Sequence, residues 1–131
     1  MKRTIAVFLL FLSLVFSSGC VPVALMAGAA AGIAGYKYIE GSLTVIYNAP
    51  FKSTWSGSLE ALEGMELKIE DKDHGLSSGK IKARRADNTV VSIGMKYLSS
   101  DQTEVTIKVG IFGDEKESNN IKDKIAGVLF K

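Results

Sequence analysis

"VSIGMKYLSSDQTEVTIKVGI", residues 91–111, decides the fold. Apolar side chains occupy every second position on both sides of the polar segment 99–102, whose composition is typical of a turn. Alternation of this kind predicts half-buried β-strands. The stretch therefore predicts two antiparallel strands. Their inner residues are Val91, Ile93, Met95 and Tyr97 in the first and Val105, Ile107, Val109 and Ile111 in the second.

The rest of the domain follows the same two periods. Three more strands are predicted, with inner residues Leu43, Val45 and Tyr47, then Leu67 and Ile69, then Ile81 and Ala83. Apolar residues at three- and four-residue steps predict a helix that Gly64 ends, and Asp114 with Glu117 forms a capping pair for a last helix. The order β-α-β-β-β-β-α predicts a two-layer α+β sandwich in residues 41–131, with a mainly antiparallel sheet and both helices on its apolar face.

The first 19 residues are typical of a secretory signal peptide. Lys2 and Arg3 precede an uncharged apolar run, residues 5–16. A run of this length suits the apolar core of a signal peptide and is shorter than the ~20 residues of a membrane-spanning helix. The formal net charge is +2, and Lys2 and Arg3 supply it, so the chain after residue 19 is neutral. This balance argues against nucleic acid as a partner.

Cys20 is the only cysteine and ends the sequence "SSGC". A lone cysteine excludes an intramolecular disulfide. The segment resembles the lipobox of bacterial lipoproteins, although Ser17 stands where that motif prefers Leu. The resemblance implies cleavage between Gly19 and Cys20 and fatty acyl chains, such as palmitate, on the Cys20 sulfur. Val21, a residue other than Asp, implies the outer membrane, facing the periplasm. The alternative is an uncleaved anchor in the inner membrane.

Residues 20–40 are predicted to be an acylated cysteine followed by an apolar tether. The segment 21–36 carries no charge and is rich in Ala and Gly. Gly28 and Gly32 have the GxxxG spacing that lets two helices approach closely in lipid. Association with another membrane helix and a simple tether are both compatible with this composition.

Several stretches together resemble a family of short bacterial lipoproteins classed only as a domain of unknown function. They are "SGCVPV", "AGAAAGIAGY", "APF" followed by Trp55 and "ALEGMEL", "LSSGKIKAR" and "VGIFGDEKES", between Gly19 and Ile125. The resemblance implies a membrane-anchored envelope protein. It implies no catalytic residue, because the family carries no assigned activity.

No enzyme or cofactor motif is found. "GLSSGK", residues 75–80, is one residue too short for a phosphate-binding loop and lacks the Ser or Thr after the lysine. "EDKDHG", residues 70–75, lacks the glutamate that a calcium loop needs in its twelfth place, and we interpret it as an acidic hairpin tip. The chain is therefore predicted not to be an enzyme and to bind no metal or cofactor.

One surface is a candidate binding site. Parity places several lysines on the solvent face of the sheet, around a floor of Ser92, Gly94 and Gly110. Three-residue turns at 86–88 and 100–102 would set both Lys80 and Lys108 opposite Gly94. We name this set the lysine patch, and its members are Lys80, Lys82, Gly94, Lys96 and Lys108. Glycine within a strand often marks a place where another group approaches the backbone. The patch predicts an anionic partner, such as a lipid phosphate, an envelope polymer or an acidic protein surface. A solvated sheet face is the alternative.

These observations predict a non-enzymatic envelope lipoprotein that acts as a structural or interaction module. A module that binds an anionic ligand through the lysine patch is the second hypothesis. An inner-membrane protein with an uncleaved anchor is the third.

Overall fold

Six antiparallel strands form one sheet, and two helices lie across one of its faces. The computed structural model describes residues 32–131. The elements are β1 (Ile33–Ile39), β2 (Ser42–Tyr47), α1 (Phe51–Gly64), β3 (Lys68–His74), β4 (Ser78–Arg84), β5 (Val90–Ser99), β6 (Gln102–Val109) and α2 (Glu115–Leu129). The strand order is β1-β2-β6-β5-β4-β3. The predicted α+β sandwich is confirmed. The predicted signal peptide, Cys20 and its cleavage site lie outside the described residues.

The sheet has one strand more than the sequence predicted. Residues 33–39 were assigned to the tether, and that assignment is wrong because they form β1 and pair with β2. The two strands are joined by a two-residue turn, Glu40 and Gly41, both with positive φ, as a tight hairpin of this kind requires. The folded domain therefore begins at Ile33 or before it.

The core lies between the inner face of the sheet and the helices. Its strand residues are the odd-numbered set that alternation predicted, with Leu43, Val45, Val91, Val105 and Ile107 fully buried. The helices contribute Trp55, Leu62, Ile121 and Ile125. Burial of such side chains contributes about 1.5–3 kcal/mol each relative to exposure, so this layer supplies the main driving force for folding.

Two inner positions at the strand ends depart from the prediction. Tyr97 is 44% exposed, because a bulge at Leu98 distorts the end of β5. Ile111 is 84% exposed, because β6 ends at Val109 and Gly110 turns the chain with a φ of +74°. Alternation predicts the face of a residue only while the strand continues.

The helix termini agree with the sequence signals. Asp114 accepts a hydrogen bond from the Glu117 backbone N–H (3.1 Å) and caps α2, as predicted. The Glu117 carboxylate does not reach back to complete the capping box and instead lies 3.6 Å from Arg85. α1 ends at Gly64, also as predicted.

Three contacts hold β1 and β2 against α2. The Tyr47 hydroxyl donates a hydrogen bond to the Lys122 carbonyl (2.9 Å), and both residues are buried. The Lys122 ammonium lies 3.7 Å from the centre of the Tyr36 ring, a cation–π contact, and 3.6 Å from the Asp123 carboxylate. The Tyr47 ring also stacks on Phe130. Lys122 therefore fixes the edge strand to the helix layer.

We expect Tyr47→Phe to lower the free energy of unfolding by about 1 kcal/mol at neutral pH, because one buried hydrogen bond is lost while the ring remains. Urea denaturation of the variant and of the parent protein measures this difference. An unchanged midpoint would show that the hydroxyl contributes nothing.

The same tyrosine should also give a pH dependence. Burial, and to a smaller extent Asp123, raises the pKa of Tyr47 well above its ordinary value. The stabilisation is therefore complete below the unfolded-state pKa of about 10 and is lost as the pH rises above it. The Phe variant should lose less stability than the parent between pH 9 and about 11.

Candidate functional site

The outer face of the sheet is open, because both helices lie on the inner face within residues 32–131. The ladder pairings place one row of residues across all six strands of this face. The row is Lys37, Thr44, Thr106, Gly94, Lys80 and Asp73. Its central members are small, so the middle of the face is lower than its borders.

A hollow of about 880 Å³ occupies this face over β3, β4, β5 and β6. Its polar lining residues are Asp71, Asp73, His74, Ser78, Lys80, Lys82, Ser92, Lys96, Glu104 and Thr106, and Gly94 forms part of the floor. A volume of this size accommodates a small molecule or a short polymer segment. It lies where the sequence placed the lysine patch.

The structure brings most of the lysine patch together. Lys80 pairs with Gly94 and Lys82 pairs with Ser92, as the predicted turn between β4 and β5 requires. Lys96 also lines the hollow. The register of β6 differs from the expected one by two residues, because the β5–β6 turn is shorter and β5 carries the bulge at Leu98.

This shift moves two residues. Lys108 lies opposite Ser92 and not opposite Gly94, so it stands beside the hollow and not in its lining. Gly110 follows the end of β6, and its prediction as part of the floor is wrong. Thr106 takes the position opposite Gly94.

Three carboxylates share the hollow with the lysines. A bulge at Glu70 in β3 shifts Asp71 and Asp73 to the outer face, opposite Lys82 and Lys80. Glu104 lies opposite Lys96. Among the residues that the structure describes, no ion pair joins these lysines to these carboxylates. The hollow therefore presents three positive and three negative groups to solvent, a mixed charge that composition did not reveal.

Next to the hollow, Arg84 and Glu70 form an ion pair through two hydrogen bonds. The hydrogen bond from Arg84 holds the pKa of the Glu70 carboxyl below its ordinary value. Glu70 is the bulged residue, so the pair secures the irregularity that turns Asp71 and Asp73 outward.

Gly94 is not required by packing. A Cβ atom at this position would have no neighbour within 4 Å. By contrast, a Cβ at Gly79 would lie 2.7 Å from the Trp55 ring and 2.9 Å from the His74 Cβ. Gly79 therefore makes room for the core, whereas Gly94 only keeps the floor of the hollow low.

The acidic hairpin tip forms no metal site in the structure. Within residues 32–131 no group of three or more His, Cys, Asp or Glu side chains is arranged to hold a metal ion. His74 packs its ring against Trp55, with 4.6 Å between the ring centres, and its Nδ1 lies 3.0 Å from the Gly75 carbonyl oxygen. These contacts explain why a histidine stands at this position: its ring packs between α1 and β3.

Sequence reasoning missed the carboxylates of the hollow, although a signal for them exists. By simple alternation Asp71 and Asp73 would follow Ile69 onto the buried face. Two unpaired carboxylates in an apolar core are strongly unfavourable. The conflict itself indicates a bulge between Ile69 and Asp71.

Comparison with known families matches residues 3–127 to a family described as "Protein of unknown function (DUF3568)". The chain belongs to this family. The match includes the apolar run, Cys20 and all but the last few residues of the sandwich. A comparison with curated proteins finds no match.

Substitutions at two glycines test the description of the hollow. Gly94→Ala should raise the free energy of unfolding by about 0.5–1 kcal/mol, because glycine within a strand is unfavourable and nothing opposes the new methyl group. Gly79→Ala, the matched control in the neighbouring strand, should lower it by about 1–3 kcal/mol through overlap with Trp55. Thermal and urea unfolding measure both. Destabilisation by Gly94→Ala would mean that the floor is packed.

Proposed function

We propose that the protein is a non-enzymatic lipoprotein of the bacterial cell envelope that acts as an anchored interaction module. The observation that carries the proposal is the position of the only cysteine, directly after an apolar run and the small residues Ser18 and Gly19. The family match begins at residue 3, so this leader and the sandwich lie within one family unit. That extent supports the proposal that the leader and the domain serve one function.

Acylation explains the need for a cysteine at this place. Each buried methylene contributes ~0.8 kcal/mol, and stable membrane attachment requires more than one lipid chain or a second attachment signal. A diacylated Cys20 would meet that requirement and leave the domain in water. Within residues 32–131 no helix combines the length and apolar character needed to cross a bilayer.

The proposed location is the outer membrane, facing the periplasm. This rests on the similarity of "SSGC" to a lipobox and on Val21 after the cysteine. The competing location is the inner membrane, with an uncleaved anchor that spans residues 4–25.

Replacement of Cys20 tests the anchor. We expect Cys20→Ala to abolish processing and to leave a protein that keeps residues 1–19 and carries no acyl mass. Intact mass of the membrane-extracted protein measures both changes. Ser17→Leu is the control, since it brings the motif closer to the lipobox and should keep cleavage before Cys20. Equal processing of Cys20→Ala and the parent protein would overturn the proposal.

A second candidate function is the binding of an anionic ligand on the outer face. The observation that favours it is the pair Lys80 and Lys82, which are exposed side by side in β4 next to the unfilled floor at Gly94 and Ser92. Lys108 borders the same floor from β6. Carboxylates lie next to these lysines in the hollow and repel a large anionic surface. Such a ligand must therefore place each anionic group against a single lysine.

The triple substitution Lys80→Gln, Lys82→Gln and Lys108→Gln tests this function. We expect weaker binding of a soluble polyanion, polyphosphate, and a weaker dependence of that binding on salt, because screening acts on exposed charges. The control replaces the same number of exposed lysines on the helix layer, Lys52, Lys116 and Lys124, by Gln. The same loss in both variants would show that only net charge matters.

A further inference from the structure

The two ends of the sheet differ in what they expose. We name proximal the end at which β1 starts and distal the opposite end. The antiparallel pairings place the β5–β6 turn and the β3–β4 loop at the proximal end, because Ile33 pairs with Tyr47, Tyr47 with Thr103, and Ser78 with Lys96. The β1–β2 turn, the β4–β5 turn and the loop before α2 lie at the distal end.

The proximal end carries exposed apolar side chains. Leu76 in the β3–β4 loop is 98% exposed, and Tyr97 and Leu98 at the end of β5 are also exposed. The Tyr97 backbone N–H donates to the Ser77 carbonyl (2.8 Å), so the loop and the strand end are held together. An aromatic ring with a hydroxyl beside aliphatic side chains suits the boundary between lipid and water.

The polypeptide also leaves the domain at this end, from a fixed point. The Gly32 carbonyl accepts a hydrogen bond from the Asn48 backbone N–H (2.6 Å). Gly32 has a φ of +94° and lies so close to the Phe130 ring that a Cβ would overlap it. Phe130 in turn stacks on Tyr47. The point at which the chain enters the described fold is therefore fixed at Gly32.

The connection from this point to Cys20 is short and uncharged. Twelve residues, 21–32, span at most ~40 Å when fully extended. The first charged residue after Cys20 is Lys37, already within β1. A segment without charge gains little from extending into water and more from staying at an apolar boundary. It therefore keeps the proximal end close to whatever membrane holds Cys20.

The distal end exposes both apolar and charged side chains. Its exposed apolar side chains are Ile39, Ile111 and Phe112, and they stand among exposed acidic residues. These are Glu40, Glu66, Asp87, Asp114 and Glu115. Lys68, Arg85 and Lys116 lie at the same end, so its charge is mixed. The point at which the chain leaves the domain therefore decides between the two ends.

We propose that the proximal end of the sheet rests on the lipid bilayer, with Leu76, Tyr97 and Leu98 in its interfacial region. This rests on the proposed acylation of Cys20. The occupant of this apolar end is then the same membrane that holds the acyl chains. The strands stand upright on the bilayer, and the outer face opens sideways into the surrounding solution.

Fluorescent labels at the two ends test the orientation. Leu76→Cys and Phe112→Cys, which replace two almost fully exposed residues at opposite ends, are each labelled with the environment-sensitive fluorophore NBD. Ser56→Cys on the exposed side of α1 serves as a control between the ends. Acylation leaves no free thiol at Cys20, so the label reports only the new site. The mature protein is reconstituted in vesicles of phosphatidylethanolamine and phosphatidylglycerol.

We expect the label at position 76 to shift its emission to the blue and to be quenched by nitroxide-bearing lipids, whereas labels at positions 56 and 112 keep their spectra in water. Quenching at 112 without quenching at 76, or at neither site, overturns the proposed orientation. The acyl mass on Cys20 and sedimentation with vesicles are measured on the same samples. Acylated protein without quenching at 76 contradicts the orientation alone, and absence of acyl mass contradicts the anchor on which it rests.

Discussion

Leu43, Val45, Val91, Val105 and Ile107 lose their contact with water only because two helices lie across the inner face of the sheet. This burial is the constraint from which the other features follow. It commits one face of β1, β2, β4, β5 and β6 to the core and both helices to the same side. The opposite face is then free to carry residues chosen for solubility or for binding, and the hollow lies there. Even the bulge at Glu70 obeys this constraint, since it turns two carboxylates away from the core.

The chain exit, the hollow and the distal loops lie on different sides of the molecule. The chain leaves at one end of the strands, the hollow opens from one face, and the β1–β2 turn, the β4–β5 turn and the loop before α2 lie at the other end. Each of these positions follows from the connectivity of consecutive antiparallel strands, which alternate between the two ends. A tethered module with this layout keeps its broad face clear of its own attachment. That separation is the geometric basis on which anchoring and binding are proposed together.

The sequence predicted the class of fold, five of the six strands, both helices and the outer-face pairings between β4 and β5, because alternation and helical spacing persist through these elements. It missed β1, since "IAGYKYI" follows an Ala/Gly-rich run and only the Glu-Gly turn indicates a hairpin. It placed Lys108 opposite Gly94 because a bulge at Leu98 and a shorter turn change the register without changing which face each residue occupies. Bulges depend on local backbone geometry, which a single sequence does not specify. The bulge at Glu70 is an exception, because alternation without it would bury the missed carboxylates Asp71 and Asp73.

The course of β1 determines how the molecule responds to tension. In the proposed lipid-anchored form, a pull on the N-terminal end of β1 acts along the axis of this strand, from its first residue. The backbone hydrogen bonds to β2 lie across that direction, so they are strained in shear and together, and the ladder does not open one bond at a time. Lys122 and Tyr36 add a lateral clamp to the same strand. Unfolding from this end therefore requires several hydrogen bonds to break together.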